Sequence, residues 1–303
     1  MALELGDAAF ESPVPMNPAS PTPLPEVNAV LAELVARWRE ILGSNLVGAY
    51  LQGSFAVGDF TERSDVDFVV VVKSDIEPPV LARLQQLHAE MHRKPSYWAQ
   101  HLEGSYAPAA IIRKLTDTPR DPPGEPRDAA FRDPQTGLGP KYYPFPFLGN
   151  GWDRLVRSEH DNSQVVRWIV RERGVTLHGP PPSTLIDRVT GDELRAEVRV
   201  NLPLWTGSLL SGAEEITAVW HQAFMVTVIC RMLHTLETGE IHSKAAATSW
   251  ALRTLPSSWH PLITRAAATW AGSQATWHDR PAAPEVAATL EFMRFALTTH
   301  NMS

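Results

Sequence analysis

Two aspartates flank a valine in "SDVDFVVVV", at Asp65 and Asp67, directly before a run of β-branched residues. In a β-strand, residues i and i+2 project to the same side, so the two carboxylates should lie next to each other. Neighbouring carboxylates repel one another and resist the loss of water, and a divalent cation relieves both effects. The spacing therefore predicts a Mg²⁺ site at Asp65 and Asp67, completed by water and substrate phosphate oxygens.

A Gly-Ser pair, Gly53 and Ser54, follows the apolar segment "LVGAYLQ" and precedes the two aspartates. Glycine after a strand lets the backbone approach a phosphate closely, and a helix N-terminus and a serine hydroxyl can donate to its oxygens. Each half of this arrangement is common by itself, as a turn or as a solvated strand edge. Together they predict a site that holds a metal ion at one end and phosphate oxygens at the other.

Hydrophobic spacing predicts the elements that must position these residues. A helix begins at Glu26 and ends at Gly43. Strands are predicted at 46–52, 67–72 and 96–106, and further helices at 79–93 and 161–174. After residue 183 every segment is helical, at about 191–207, 214–237, 243–254, 257–272 and 283–299. The sequence "TGDE" at Thr190 to Glu193 has the spacing of a capping box at the start of the first of these helices. The pattern indicates an α+β domain with a small mixed sheet, followed by an all-α helical bundle, with a ligand cleft between them.

Composition sets the domain limits. Six prolines between residues 11 and 25 indicate an extended or disordered arm over 1–25. The α+β domain is predicted over 26–178 and the bundle over 183–303, with the boundary at "HGPPPS". Residues 115–149 are rich in proline and glycine and too long for a simple connection, so they form either a functional loop or a partly disordered insert.

Charge and composition narrow the function classes. The chain has 303 residues, a net charge of -7 and a pI near 5.9, which argues against nucleic-acid binding by bulk electrostatics. A mildly acidic surface suits cationic small molecules, although many cytosolic proteins share it. Cys230, the single cysteine, has no partner for an internal disulfide. The sequence shows neither a signal peptide nor a run of about 20 apolar residues, so we expect a cytoplasmic protein with no membrane partner.

The order of strand, Gly-Ser, spacer, Asp-Val-Asp and apolar strand resembles the nucleotidyltransferase superfamily. Members commonly carry a third carboxylate on the following strand, and Glu103 in "HLEGSY" is the candidate. The segment "CRMLHTLETGEIHSKAAATSWALRTLPSSWHPLI" resembles the C-terminal helical domain of the streptomycin/spectinomycin-type aminoglycoside adenylyltransferases. "LHGPPPSTLIDRVTGDEL" is similar to their interdomain segment. The resemblance covers roughly residues 46–104 and 161–273.

This resemblance implies a nucleotidyltransferase domain followed by the helical bundle. The reaction it implies is transfer of AMP from ATP, with two Mg²⁺ ions, to a hydroxyl of a cationic aminoglycoside or aminocyclitol antibiotic, with release of pyrophosphate. Glu103 would take the proton from that hydroxyl, and the protein is expected to act as a monomer. The implied triphosphate contacts are Gly53, Ser54, Ser64, Arg231 and Lys244, with Trp270 at the nucleotide. The implied acceptor contacts are Trp205, Glu214, Glu215 and His221.

The residue types in the second half give independent support. Arg231 interrupts an apolar helical segment, and a buried guanidinium is costly without an anion nearby. That anion is either a glutamate (Glu214, Glu215 or Glu237) or a triphosphate. Lys244 falls in the first turn of a helix, where the helix dipole disfavours a cation unless an anion is present, although a solvated lysine is the alternative. Trp270 could stack on adenine or simply belong to the core.

Two other functions fit the same residues. One is nucleotidyl transfer to a protein or to a different small molecule. The other is a non-catalytic ATP-binding regulator on the same fold, which the presence of all three carboxylates disfavours. ATP binding without pyrophosphate release across many acceptors would favour the regulator.

Overall fold

The computed structural model describes residues 20–116, 142–272 and 277–300. Most of the predicted arm at 1–25, and residues 117–141 of the predicted insert, therefore lie outside the described residues. Within the three described ranges, no helix is long and apolar enough to span a membrane.

A mixed β-sheet forms the centre of the first half of the chain. Its strands are β1 (Leu46–Leu51), β2 (Val66–Val72), β3 (Leu102–Pro108), β4 (Phe145–Leu148), β5 (Leu155–Ser158) and β6 (Val175–His178). They lie in the order β5-β4-β3-β2-β1-β6 within the described part of the chain. Strands β2 and β3 pair in parallel, and the other neighbouring strands pair antiparallel. The predicted mixed sheet is confirmed.

Helices cover both faces of this sheet. They are α1 (Pro25–Leu42), α2 (Gly53–Val57), α3 (Pro78–His92), α4 (Tyr97–Gln100), α5 (Ala109–Ile112) and α6 (Gln164–Arg173). Phe68 and Val70 of β2 pack in the core that contains α1 and α3. Val69 and Val71 face the opposite side and pack in a second core with α5 and α6. Burial on both faces explains why the valine run of β2 shows no alternation with polar residues.

The second half of the chain is a helical bundle. It consists of α7 (Gly191–Ser211), α8 (Val219–Thr238), α9 (Lys244–Thr254), α10 (His260–Ala271) and α11 (Ala283–His300). The predicted capping box is present: the Thr190 side chain accepts from the Glu193 backbone, and the Glu193 side chain accepts from the Thr190 backbone. The apolar helix α8 is central and packs against the other four helices. The fold class predicted from the sequence is confirmed, and the division into 26–178 and 183–303 stays a prediction.

Three predicted boundaries are wrong. Residues 97–100 form helix α4, because Ser96 caps its N-terminus by accepting from the Ala99 N–H, so the third strand starts only at Leu102. Helix α8 starts at Val219 and not at residue 214, since Ala218 has extended backbone and the Val219 N–H donates to the Asp279 carbonyl. The end of the predicted insert is strand β4, paired with β3 and β5.

The sheet and the bundle are joined by polar and apolar contacts. Glu197 of α7 accepts hydrogen bonds from the backbone N–H groups of Gln164 and Val165, at the N-terminus of α6. Asp59, in the loop between α2 and β2, accepts from the Lys244 backbone at the start of α9. Ile169 of α6, Leu194 of α7 and their neighbours form an apolar cluster between the two units. These contacts set the carboxylates of the sheet opposite the cations of the bundle.

Candidate active site

Three carboxylates lie at one end of the parallel strand pair. Asp67 of β2 is the direct register partner of Glu103 of β3, and Asp65 immediately precedes β2. Burial raises the pKa of Asp67 well above its ordinary value, and repulsion from Asp65 and Glu103 adds to the effect. Burial and then Glu103 raise the pKa of Asp65 in the same way. The fold thus holds together negative charges that repel one another, which is the electrostatic setting for a bound cation.

The donor set at this point fits a magnesium ion only in part. In the ranges that the structure describes, no group of three or more His, Cys, Asp or Glu side chains is arranged to hold a metal ion. Mg²⁺ is, however, usually bound through one or two carboxylates while water and substrate phosphates supply its other ligands. Asp65 and Asp67 match that pattern, and it requires a phosphate-bearing substrate beside them.

Gly53 packs directly against one of these carboxylates. It begins α2 with φ of +61°, and a Cβ atom placed there would lie 1.8 Å from Asp67 Oδ2. From the sequence, Gly53 was expected to let the backbone approach a phosphate. In the structure, the group that lies against Gly53 is the Asp67 side chain. The neighbouring Ser54 Oγ is buried and has no hydrogen-bond partner among the residues that the structure describes. A buried hydroxyl without a partner fits a ligand oxygen at this helix end.

Replacing Gly53 by alanine should therefore disturb Asp67. Both Gly53 and Gly58 have left-handed backbone, with φ of +61° and +72°, but a Cβ at Gly58 meets no atom within 4 Å. Gly58→Ala is thus the matched control, and should cost only the backbone penalty of about 1–2 kcal/mol. Gly53→Ala should cost more in urea unfolding and also remove the AMP transfer that the sequence resemblance implies. Equal effects of the two variants on stability and activity would contradict this account.

Two cations of the bundle face the carboxylates. The Arg231 guanidinium and the Lys244 ammonium make no hydrogen bond or ion pair to any residue that the structure describes. Burial lowers the pKa of both groups. The pKa of Lys244 falls to about 8, with the charge of Arg231 as the second cause, while Asp65, Asp59 and Asp67 oppose this shift. Partly buried cations without ion pairs are costly, so their presence indicates a site for an anion.

The surroundings of Lys244 correct one step of the sequence argument. An anion was expected at the N-terminus of its helix, and Asp59 supplies one by accepting from the Lys244 N–H at 2.6 Å. The ammonium itself does not pair with Asp59. Its Nζ atom lies 3.9 Å from the centre of the Trp270 ring and 5.3 Å from that of Phe224. Trp270 therefore holds the lysine by a cation–π contact.

A cleft of about 400 Å³ lies in the bundle, with Phe224 in its lining. Three of the predicted acceptor contacts, Trp205, Glu214 and His221, line it together. Phe224 lies between this cleft and Trp270, because its ring packs against both Trp205 and Trp270. The fourth predicted acceptor contact, Glu215, does not line the cleft. It pairs instead with Arg280 at the surface.

The structure gives Ser64 a local contact. Its Oγ accepts from the Thr61 backbone at 2.8 Å and so closes a turn in the loop before β2. A direct contact from Ser64 to a triphosphate stays a prediction.

The sequence analysis missed residues that surround Glu103. The Asn150 backbone N–H donates to Glu103 Oε2 at 3.0 Å, and its side-chain amide donates to Asp65 Oδ2 at 3.3 Å. His160 Nε2 lies 3.4 Å from Glu103 Oε1. Both residues follow the long insert, in and after the β4–β5 turn. The "GNG" motif signals a turn there, but nothing in the sequence shows that this turn lies beside β3.

Comparison with known proteins supports the two types of domain. The model of a nucleotidyltransferase domain matches residues 31–107, and that of the aminoglycoside adenylyltransferase C-terminal domain matches residues 184–295. A spectinomycin 9-adenylyltransferase of Staphylococcus aureus is 26% identical over 231 residues, which cover 72% of this chain and 75% of the relative. One of Campylobacter jejuni is 22% identical over 244 residues, covering 77% and 81%.

A solved structure shares the fold. It is a spectinomycin adenyltransferase from Enterococcus faecialis, crystallised with ATP and spectinomycin, with a TM-score of 0.62 and 16% identity. The match covers 89% of this chain and 98% of the other. The fold and the family-model matches define an enzyme of the nucleotidyltransferase class, with a helical C-terminal domain. More narrowly, the resemblance to the aminoglycoside adenylyltransferases is confirmed, because residues 184–295 match the C-terminal domain of that family.

Proposed function

We propose that this enzyme transfers AMP from ATP to a hydroxyl of an aminoglycoside or aminocyclitol antibiotic, in a reaction that requires Mg²⁺ and releases pyrophosphate. One observation carries the proposal: Asp65 and Asp67, beside Glu103, lie close to the charges of Arg231 and Lys244, two partly buried cations without an ion pair to any residue that the structure describes. Carboxylates and cations that do not neutralise each other directly leave room for a metal ion and a polyphosphate between them.

The nucleotide site is assigned to both halves of the chain. Asp65 and Asp67 would hold one or two Mg²⁺ ions, which supply charge neutralisation and Lewis-acid polarisation of the phosphate when bound. Ser54 Oγ, Arg231 and Lys244 would hold the triphosphate oxygens. Trp270 lies against Lys244, so its ring is the candidate platform for adenine.

Transfer follows from this placement. The acceptor oxygen forms a bond to the α-phosphorus of ATP while the bond from that phosphorus to the bridging oxygen of pyrophosphate breaks. Glu103 takes the proton of the acceptor hydroxyl, which makes the attacking oxygen more nucleophilic. Arg231 and Lys244 stabilise the negative charge that collects on the departing pyrophosphate.

The acceptor is assigned to the cleft beyond Phe224. Glu214 supplies a carboxylate for ammonium groups, and the exposed Trp205 ring supplies an apolar face for a sugar or cyclitol ring. Relatives named for spectinomycin make that aminocyclitol the first acceptor to examine.

The function is tested by incubating the protein with ATP, Mg²⁺ and a panel of aminocyclitols and aminoglycosides. The expected result is pyrophosphate release with one acceptor and a product heavier by one adenylyl group in mass spectrometry. Release with a protein or an unrelated small molecule in place of these antibiotics would favour the first alternative function. ATP binding with no release across the panel would favour the regulator and contradict the proposal.

The phosphate contact of Lys244 gives a second prediction. Lys244→Ala should weaken ATP binding by about 1–3 kcal/mol, the usual range for a lost charge-assisted contact, with the fold intact. In addition, wild-type affinity for ATP should fall as the pH rises through about 8, where Lys244 loses its proton, while the variant stays flat over the same range.

Arg253→Ala removes an exposed cation from the same helix and is the matched control for a general loss of charge. Isothermal calorimetry from pH 7 to pH 9 measures all three proteins. Equal ATP affinity of wild type and Lys244→Ala would remove Lys244 from the site.

A further inference from the structure

His160 lies in the segment between β5 and α6 and touches the candidate general base. Its Nε2 atom is 3.4 Å from Glu103 Oε1, while the other oxygen, Oε2, accepts from the Asn150 backbone at 3.0 Å. Both carboxylate oxygens of Glu103 are therefore contacted by groups from outside β3. A carboxylate held at both oxygens cannot rotate freely about its terminal torsion.

The His160 side chain is half-exposed, but the two residues that follow it are fixed by buried contacts. Ser105, two residues after Glu103 on the same strand, donates to Asp161 Oδ2 at 2.6 Å. The next residue, Asn162, donates to the Tyr143 carbonyl and accepts from Arg167, and all of these groups except the carbonyl belong to buried side chains. Since Asp161 and Asn162 anchor the chain, the His160 ring is held in register with Glu103. Its other face packs on Phe147, with ring centres 4.9 Å apart.

We propose that His160 is a positioning residue that holds the Glu103 carboxylate in the orientation needed to take the acceptor proton. This inference rests on the proposed function, in which Glu103 is the general base. In the structure, no hydrogen bond or ion pair joins His160 to Asp65 or Asp67, the carboxylates assigned to the metal ion. His160 therefore acts on the reaction only through Glu103. Small displacements of a reacting group are costly, and about 1 Å can lower a rate by 10²-fold.

Two substitutions separate the N–H group from the ring. His160→Phe keeps a ring against Phe147 but has no donor for Glu103, whereas His160→Gln places an amide donor near the position of Nε2. We expect His160→Phe to lower kcat for AMP transfer by about 10- to 10²-fold with little change in the KM for ATP. His160→Gln should restore most of that loss. A loss in His160→Gln as large as in His160→Phe would overturn the proposal.

A double-mutant cycle with Glu103→Gln tests whether His160 acts through Glu103. If it does, adding His160→Phe to Glu103→Gln should lower the single-turnover rate no further, because the group that His160 orients has already lost its function. If the two losses multiply, His160 has a separate or merely structural role, and the proposal fails.

A measurement without turnover keeps this inference distinct from the proposed function. Glu103 of β3 and Asp161 of its own segment are the charged groups that act on the His160 imidazole. The hydrogen bond that the ring donates to Glu103 is the largest cause and raises the pKa of His160. NMR titration of the ring in the nucleotide-free protein should show a raised pKa in wild type that falls in Glu103→Gln. An absence of AMP transfer together with this shift would defeat the proposed function and leave the His160–Glu103 contact standing. An ordinary and unchanged His160 pKa in both proteins would defeat the His160–Glu103 contact.

Discussion

Replacing Asp67 by asparagine is expected to abolish AMP transfer while leaving the protein folded. Asparagine keeps the shape that packs against Gly53, but it removes the charge with which Asp67 would hold a metal ion. The pKa of Asp67 is raised in the folded protein by burial first and by its acidic neighbours second. Its ionised form therefore destabilises the fold at neutral pH, and the variant without metal should be as stable as wild type or more so.

The sign of the pH dependence follows from the same shift. A raised folded-state pKa means that the stability linked to this group is present at low pH and is lost as the pH rises through the folded-state pKa. The stability gain of Asp67→Asn should thus be seen at neutral pH and shrink on acidification, in urea unfolding of metal-free protein. Asp187→Asn, at a half-exposed aspartate paired with Arg113, is the isosteric control and should keep its activity. Wild-type activity in Asp67→Asn would defeat the metal assignment.

Hydrophobic spacing was sufficient to predict most of the fold. The valine run of β2 and the apolar helix α8 have no polar face, and each is the buried centre of its unit. Local signals also predicted the capping box at Thr190 and the helix end at Gly43. The segment at 96–106 was misassigned because a single capping serine, Ser96, turns four of its residues into a helix before the strand. Period-two spacing does not detect so short an element.

The candidate site could be predicted only where its residues are close in sequence. Asp65 and Asp67 are two positions apart, so strand geometry alone places them together. Glu103 required the additional assumption that β3 pairs with β2, which the parallel register confirms. Asn150 and His160 lie 47 and 57 positions beyond Glu103, after the insert. Their approach depends on β4 pairing with β3, and local spacing contains no information about that pairing.

The surroundings of Arg231 and Lys244 could be predicted from the sequence in part. The electrostatic cost of a cation in an apolar helix, or at a helix N-terminus, predicted that each would face an anion. The structure supplies Asp59 at the start of α9, which the sequence argument had not named. That carboxylate accepts from the Lys244 backbone N–H, while the Lys244 ammonium lies against Trp270. The sequence therefore predicted an anion near Lys244 but not which group supplies it.

Glu103→Gln is expected to slow AMP transfer by about 10²–10⁴-fold, the usual contribution of a positioned general base, while ATP binds with near-normal affinity. Glutamine can still accept from the Asn150 N–H that now contacts Glu103 Oε2, so the local hydrogen bonding and shape are largely kept. It cannot accept the proton of the acceptor hydroxyl. Asp65 and Asp67 remain for the metal ion, which is why the nucleotide should still bind. The acceptor antibiotic should bind somewhat more weakly, since its ammonium groups lose an anionic neighbour.

Single-turnover AMP transfer and ATP titration on wild type and Glu103→Gln decide between the roles open to this carboxylate. A slow chemical step with intact ATP·Mg²⁺ binding supports the general base. Loss of ATP·Mg²⁺ binding would instead make Glu103 a metal ligand, as its place beside Asp67 in the register also allows. Undiminished transfer would mean that another group, or none, takes the proton. In a non-catalytic ATP-binding regulator, wild type would already show no transfer, and the substitution would leave both measurements unchanged.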